Sequence, residues 1–267
     1  MPCFRPLSAV QLDDGHLVFG PVRRPDIRKH GGERRALQLP CGRCIGCRLV
    51  RSRAWAVRCL HESQMHEASS FVTLTYNDEN YSPSLNYSDF QRFMYRVREY
   101  YGPTRFFMGG EYGESTFRPH YHALLFGRSF RRGSQVSEDA FSSPDLERLW
   151  KFGFSSVGDV TFESAQYVAK YCHKKVTGEL ASSHYCRVDR STGEYVYVTP
   201  EFGKMSLRPG IGYSWFQRYW RDVYGARDGV PLKGGFVVPA PRFYDNLLLR
   251  SPDGELLGVK ELERYLR

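Results

Sequence analysis

The sequence predicts an α+β fold, a central antiparallel β-sheet with helices packed on it, behind a cysteine-rich N-terminal segment. Three observations lead there. Segments 105–112 (RFFMGGEY) and 118–126 (RPHYHALLF) are strand-like and flank a turn-prone GESTF, a hairpin signal weakened by the Gly pair. Segment 88–101 carries Phe90, Phe93, Met94, Val97 and Tyr101 at helical spacing. The order strand–helix–strand–strand–helix–strand–helix over 71–176 gives a sheet helices to pack against it.

Taken in order, residues 1–40 are rich in Pro, Gly and charge and lack a sustained period, which reads as an irregular basic arm. Residues 48–67 suit a helix with Leu49, Val57 and Leu60 near one stripe and arginines around it. FVTLTY (71–76) is a buried strand, and Ser88 three residues before Gln91 suggests a capping box opening the next helix. Gly102-Pro103 stops that helix. Further on, 144–152 reads as a helix with Pro144 in its first turn, 154–160 as a strand, and 164–176 as a helix ending near Gly178. Beyond 180, EYVYVTP alternates like a strand, GYSWFQRYWRDVYG has helical spacing, and the last dozen residues suit a short helix. The expected organisation is 1–67 for the arm, cysteine cluster and helix, 68–224 for the core, and 225–267 for an extension.

The chain has 267 residues, with 38 Lys and Arg against 29 Asp and Glu, a formal charge of +9. That balance favours a polyanionic partner, and 15% aromatic residues argue against a disordered basic tail. No apolar run approaches the roughly 18 residues of a membrane span, and the N-terminus lacks a secretion signal. Seven cysteines, three of them within seven residues, fit a metal cluster in a reducing compartment better than a disulfide framework.

His120 and His122 are two apart on a predicted strand, so both imidazoles face one side while Tyr121 anchors the other. Glu111, nine residues earlier, can lie opposite the pair once the hairpin closes. Two imidazoles and a carboxylate leave metal positions open, which suits catalysis. Taken alone, a His-x-His pair is as well explained by ordinary surface or core histidines. Tyr167 and Tyr171 sit four apart, hence on one helix face, with Lys170 and Lys174 each three residues beyond a tyrosine and Lys175 next. A phenol with a pKa near ~10 needs nearby cations and a polarised electrophile to attack. That segment alone also reads as a plain amphipathic helix.

Cys41-x-x-Cys44-x-x-Cys47 supplies three ligands of a zinc-type site. Cys3 is the first choice for a fourth, with His30 and Cys59 as competitors and an iron–sulfur cluster as the lesser alternative. DNA contacts are expected from Arg43, Arg48 and Arg51, from Arg118 beside the histidines, and from Lys175.

The PHYH motif resembles the His-hydrophobe-His signature of the HUH endonucleases, and FVTLTY resembles the strand preceding it in rolling-circle initiators. YVAKYCHKK is similar to their catalytic-tyrosine helix. GEYGESTFRPHYHALLFG, with PCGRCIGCR upstream and MSLRPGIGYSWF downstream, looks most like the gokushovirus-type replication initiators of the Microviridae, over roughly 41–216. The resemblance implies an HUH-like fold and metal-dependent nicking of single-stranded origin DNA. His120 and His122 with Glu111 would hold Mg2+ or Mn2+, and Tyr167 or Tyr171 would attack phosphorus. Lys170, then Lys174, would assist with charge or proton transfer. The products would be a 5′-phosphotyrosine and a free 3′-OH, with later strand rejoining. It also implies action in the cytoplasm of a bacterial host and, since no phosphate-loop motif is seen, reliance on a host helicase as well as a host polymerase. Imidazoles are softer donors than Mg2+ favours, so Mn2+ is credible and Zn2+ stays an alternative. The competing readings are a metal-dependent hydrolytic nuclease or phosphodiesterase and a non-catalytic zinc nucleic-acid-binding module.

Overall fold

The structure is a computed structural model that describes residues 3–171, 174–176, 178–189, 192–224, 229–232, 235 and 237–249. In chain order its elements are β1 (Leu7–Leu12), β2 (Leu17–Phe19), α1 (Arg24–His30), β3 (Glu33–Leu39), α2 (Ile45–Ser63), β4 (Ser69–Tyr76) and α3 (Tyr87–Tyr101). There follow β5 (Arg105–Tyr112), β6 (Pro119–Phe126), β7 (Gln135–Ser137), β8 (Ala140–Phe141), α4 (Pro144–Leu149), β9 (Gly153–Asp159) and α5 (Phe162–Tyr171). Last come α6 (Leu180–His184), β10 (Cys186–Val188), β11 (Tyr195–Tyr197), β12 (Phe202–Met205), α7 (Tyr213–Tyr224), β13 (Val230–Pro231), β14 (Val237–Val238) and α8 (Arg242–Leu249). Two compact units emerge, Met1–Arg51 and Ser52–Arg267, and the division falls inside α2.

In the first unit β1 pairs antiparallel with both β2 and β3. The expectation of an irregular arm over 1–40 is therefore corrected. The strands escaped notice because this small sheet buries little: β3 shows no buried residue, and its charged positions blur the alternation that marks a strand.

The second unit is built on a sheet of order β12-β5-β6-β4-β9-β8-β7, antiparallel at each pairing, which bears out the predicted fold class. Strand alternation divides it into two faces. On one, Val72, Leu74 and Tyr76 of β4, Met108 of β5 and Tyr121, Ala123 and Leu125 of β6 meet Phe90, Phe93, Met94 and Val97 of α3, with Trp150. On the other, Phe107, Leu124 and Phe126 meet Ala165, Val168 and Ala169 of α5 and Ala56 and Cys59 of α2. A third cluster joins Val57 to Trp215, Phe216 and Trp220 of α7 and to Tyr244 and Leu248 of α8.

Helix α3 is capped by Asn86, two residues before the expected cap Ser88, the Asn86 side chain accepting from the Ser88 N–H at 3.1 Å. The expected helix over 164–176 ends at Tyr171, and residues 174–176 are non-helical. Strand β12 was missed because FGKM has weak strand propensity, and it holds its place by pairing with the edge of β5. The expected terminal helix lies outside the described residues.

Candidate metal centre and tyrosine helix

Register places the ligands. Antiparallel pairing sets Glu111 of β5 opposite His120 of β6, and Gly109 opposite His122. Same-face alternation then puts His122 beside His120, while Tyr121 points through the sheet. Tyr121 is fully buried there, its hydroxyl donating to the Asn86 carbonyl at 2.8 Å and lying 2.9 Å from the Tyr76 hydroxyl. This buried anchor fixes the strand that carries both imidazoles.

Glu111 Oε1 lies 2.9 Å from His120 Nε2 and 3.1 Å from His122 Nε2. The remaining ring nitrogens face supporting groups. His120 Nδ1 is 3.0 Å from the Arg118 carbonyl oxygen, and His122 Nδ1 is 2.9 Å from Thr73 Oγ1. A carbonyl only accepts, so His120 Nδ1 is the donor to the Arg118 oxygen and Nε2 is left facing the Glu111 carboxylate. The three donor atoms lie within 4.8 Å of one another, so the donor set fits a divalent metal.

Burial raises the Glu111 carboxyl, but hydrogen bonds from His120 and His122 outweigh it and hold the group at about 2. It is therefore a carboxylate throughout the neutral range. Burial depresses His122 below the ordinary imidazole range, keeping it neutral and able to ligate.

Helix α5 lies against this face of the sheet. Glycine at 109 permits the approach: a Cβ there would lie 2.9 Å from Tyr171 Cβ and 3.3 Å from the Val168 carbonyl oxygen. The first glycine of the pair that weakened the strand signal is thus what admits the helix, while Gly110 faces Leu85, Phe202 and Tyr121 on the other side of the sheet. Both tyrosines face the histidines, as the four-residue spacing requires. The Tyr167 hydroxyl lies 3.5 Å from both Glu111 Oε1 and His122 Nε2, at the edge of hydrogen-bond range. Its ring meets His122 edge-on at 4.9 Å, and Tyr171 stacks on His122 at 5.7 Å. Tyr167 is 38% exposed and Tyr171 only 7%. Burial pushes both phenols above their ordinary value, and the Glu111 charge adds to the rise.

Lys170 on α5 and Lys174 beyond the helix are both exposed, and Lys174 places Nζ 3.6 Å from Glu111 Oε2 and 5.4 Å from the Tyr171 ring centroid. Lys175 is exposed. Arg118 is engaged locally, donating to the Tyr76 carbonyl at 2.8 Å and pairing with Asp78. Thr73 and Gly109 were not singled out from sequence, because their roles depend on strand register and helix approach.

In the first unit, Cys3, Cys41, Cys44 and Cys47 converge with their sulfurs within 4.8 Å of one another, and all four are free thiols. Backbone N–H groups of Cys47 and Phe4 hold the Cys44 thiol down to about 6. Of the competing fourth ligands, His30 contacts Asp14 at 2.7 Å, and Cys59 lies in the core formed with α5. Arg43, Arg48 and Arg51 are exposed. No helix among the described residues is long and apolar enough to cross a membrane.

Comparison with known proteins places this arrangement in a family. The family described as Replication-associated protein ORF2/G2P matches residues 69–176, from β4 past the tyrosine helix. Replication-associated protein VP4 of Bdellovibrio phage phiMH2K is 32% identical over 263 residues, spanning 92% of this chain and 76% of its own. Replication-associated protein ORF2 of Spiroplasma virus 4 is 29% identical over 277 residues, spanning 94% and 81%. Replication-associated protein ORF4 of Chlamydia phage 1 is 30% identical over 235 residues, spanning 81% and 55%. No solved structure matches the chain significantly. The chain belongs to the replication-associated proteins of these phages, the rolling-circle replication initiators that its motifs resemble.

Proposed function

We propose that the protein starts replication by nicking single-stranded origin DNA with a tyrosine and later rejoins strands. The observation that carries this reading is the Tyr167 hydroxyl 3.5 Å from two of three convergent metal-type donors, Glu111 Oε1 and His122 Nε2.

Glu111, His120 and His122 would hold Mg2+ or Mn2+. When bound, the ion would neutralise charge building on the scissile phosphate. The protein's own residues do the rest. Thr73 and the Arg118 carbonyl orient the imidazoles, and Lys174 supplies positive charge beside phenols that burial has made reluctant to ionise. Tyr167, the more exposed of the pair, attacks first. Its oxygen bonds to phosphorus as the bond to the 3′ oxygen breaks, the phenolic proton is released to water, and the 3′ oxygen takes one up. A 5′-phosphotyrosine and a free 3′-OH result, and the phosphotyrosine bond retains the energy for rejoining. Tyr171, one turn away, serves a second attack.

Residues 68–224 form the nicking core in this reading, with 225–267 an extension. Arg43, Arg48, Arg51 and Lys175 contact DNA, and the four cysteines hold zinc. Host helicase and polymerase act with the protein in the bacterial cytoplasm. The test is a single-stranded origin oligonucleotide incubated with Mn2+. Wild type should form a denaturation-resistant protein–DNA adduct, and Tyr167→Phe should lose it. Cleavage that leaves a free 5′-phosphate and ignores both Tyr167→Phe and Tyr171→Phe would instead establish a hydrolytic nuclease.

A further inference from the structure

Charge in this protein is concentrated. Residues 1–51 hold ten Lys and Arg against four Asp and Glu, a net +6 of the whole chain's +9. All ten cations are exposed. Among the described residues, the ion pair within this unit joins His30 to Asp14 and leaves the lysine and arginines without carboxylate partners. In the second unit the 28 Lys and Arg are nearly balanced by 25 Asp and Glu, and Arg92, Arg105, Arg118, Arg132 and Arg148 each pair with an acid. Exposed, unneutralised cations gathered in one small unit are the electrostatic footprint of a phosphate-backbone ligand.

The same unit lacks the means to hold itself together by burial. Its buried apolar side chains among the described residues are Ala9 and Leu12. A unit of this size with so small a core needs another constraint. The four cysteines provide the donors for one. Four sulfurs bound tetrahedrally at about 2.3 Å would stand about 3.8 Å apart. Cys3 and Cys44 Sγ are 3.7 Å apart and Cys41 and Cys47 Sγ 4.0 Å. Backbone N–H groups donate to sulfur, from Cys41 to Cys3 Sγ and from Cys44 to Cys41 Sγ, each at 3.3 Å. Gly42 turns the chain between the first two ligands of the knuckle with φ +72°, a conformation glycine adopts without a Cβ clash. Sulfurs this close leave room for one ion and not for a multi-iron cluster. The site ties Cys3, near the chain start, to the loop and first turn of α2, where Arg43, Arg48 and Arg51 stand.

We propose that Met1–Arg51 is a zinc-stapled DNA-gripping module that binds phosphate backbone independently of the metal and tyrosine centre. It deepens that reading, making the zinc and the arginines one separate gripping unit, and it holds whether or not Tyr167 is the nucleophile.

The test uses the full chain purified without chelator. Zinc is counted by plasma mass spectrometry. Binding to a labelled single-stranded oligonucleotide is followed by anisotropy over a salt series, with no Mg2+ or Mn2+ added. Wild type should carry one zinc per chain, and Cys41→Ser/Cys44→Ser should lose it together with about tenfold or more in affinity. The Arg43→Gln/Arg48→Gln/Arg51→Gln variant should keep its zinc and lower the slope of log affinity against log salt by about 2, at ~0.7 per lost phosphate contact. That variant decides the matter should the cysteine variant fail to fold. Wild type devoid of zinc, or an arginine variant with unchanged affinity and slope, would overturn the proposal. An adduct assay on the same preparations with Mn2+ reads the tyrosine mechanism separately.

Discussion

At the scale of single residues, the centre depends on where protons sit. The Arg118 carbonyl commits His120 Nδ1 to donation, and the other two donors are kept ready by Glu111's ionisation and His122's neutrality. Thr73 performs the orienting role for His122 from the adjacent strand. Replacing it by Val keeps the shape and removes the hydroxyl, so Thr73→Val should weaken Mn2+ binding by about 10–100-fold, read by titration calorimetry. Lys174 faces both the carboxylate and a phenol ring. Lys174→Ala should slow adduct formation by about 10²-fold at saturating metal, in the range seen when one charge-stabilising group is removed. The His pair and the Tyr pair were legible in sequence because strand and helix periods alone put each pair on one face. The placing of Lys174 beside Glu111 was not legible: it lies beyond α5, and a lysine past a helix terminus is free of the helical period.

At the scale of elements, the approach of α5 to β5 sets the distance between phenol and metal donors. Gly109→Ala would drive a methyl into the Tyr171 Cβ and the Val168 carbonyl. It should cost about 1–3 kcal/mol of stability and, by displacing the nucleophile, slow nicking by up to about 10²-fold. Urea melts and single-turnover kinetics on the same variant separate these effects. A second element-level prediction concerns α2, α7 and α8. His61 stacks on Trp215 at 3.4 Å and contacts the Tyr244 hydroxyl at 2.8 Å, and burial lowers its pKa to about 3 from an ordinary 6.5. The folded state thus refuses a proton that the unfolded chain accepts below 6.5. Stability should fall with pH across that window, by about 2 kcal/mol between pH 7 and pH 5 from this one group. Chemical melts at the two values test it, and the slope should flatten in His61→Phe. The strands and helices around the centre were readable from alternation and capping. Strand β12 and the sheet β2-β1-β3 were not, since strands with few buried positions carry little alternation.

For the whole molecule, the formal charge of +9 pointed only to a polyanion. That charge is unevenly spread: residues 1–51 carry +6 of it, and residues 52–267, with 28 Lys and Arg against 25 Asp and Glu, carry +3. The fold class was legible because element order constrains a sheet with covering helices. The two-unit division was not, because it falls within a continuous helix whose periodicity gives no sign of a boundary. The central claim is that a tyrosine beside a two-histidine, one-glutamate centre becomes joined to DNA. Its most direct test is peptide mapping of the wild-type adduct formed on origin oligonucleotide with Mn2+, using mass spectrometry after protease and nuclease digestion. The account predicts a single nucleotide-bearing peptide whose 5′-phosphate is on Tyr167. A 5′-phosphate found wholly on free DNA, or attached to a residue other than Tyr167 or Tyr171, would contradict it.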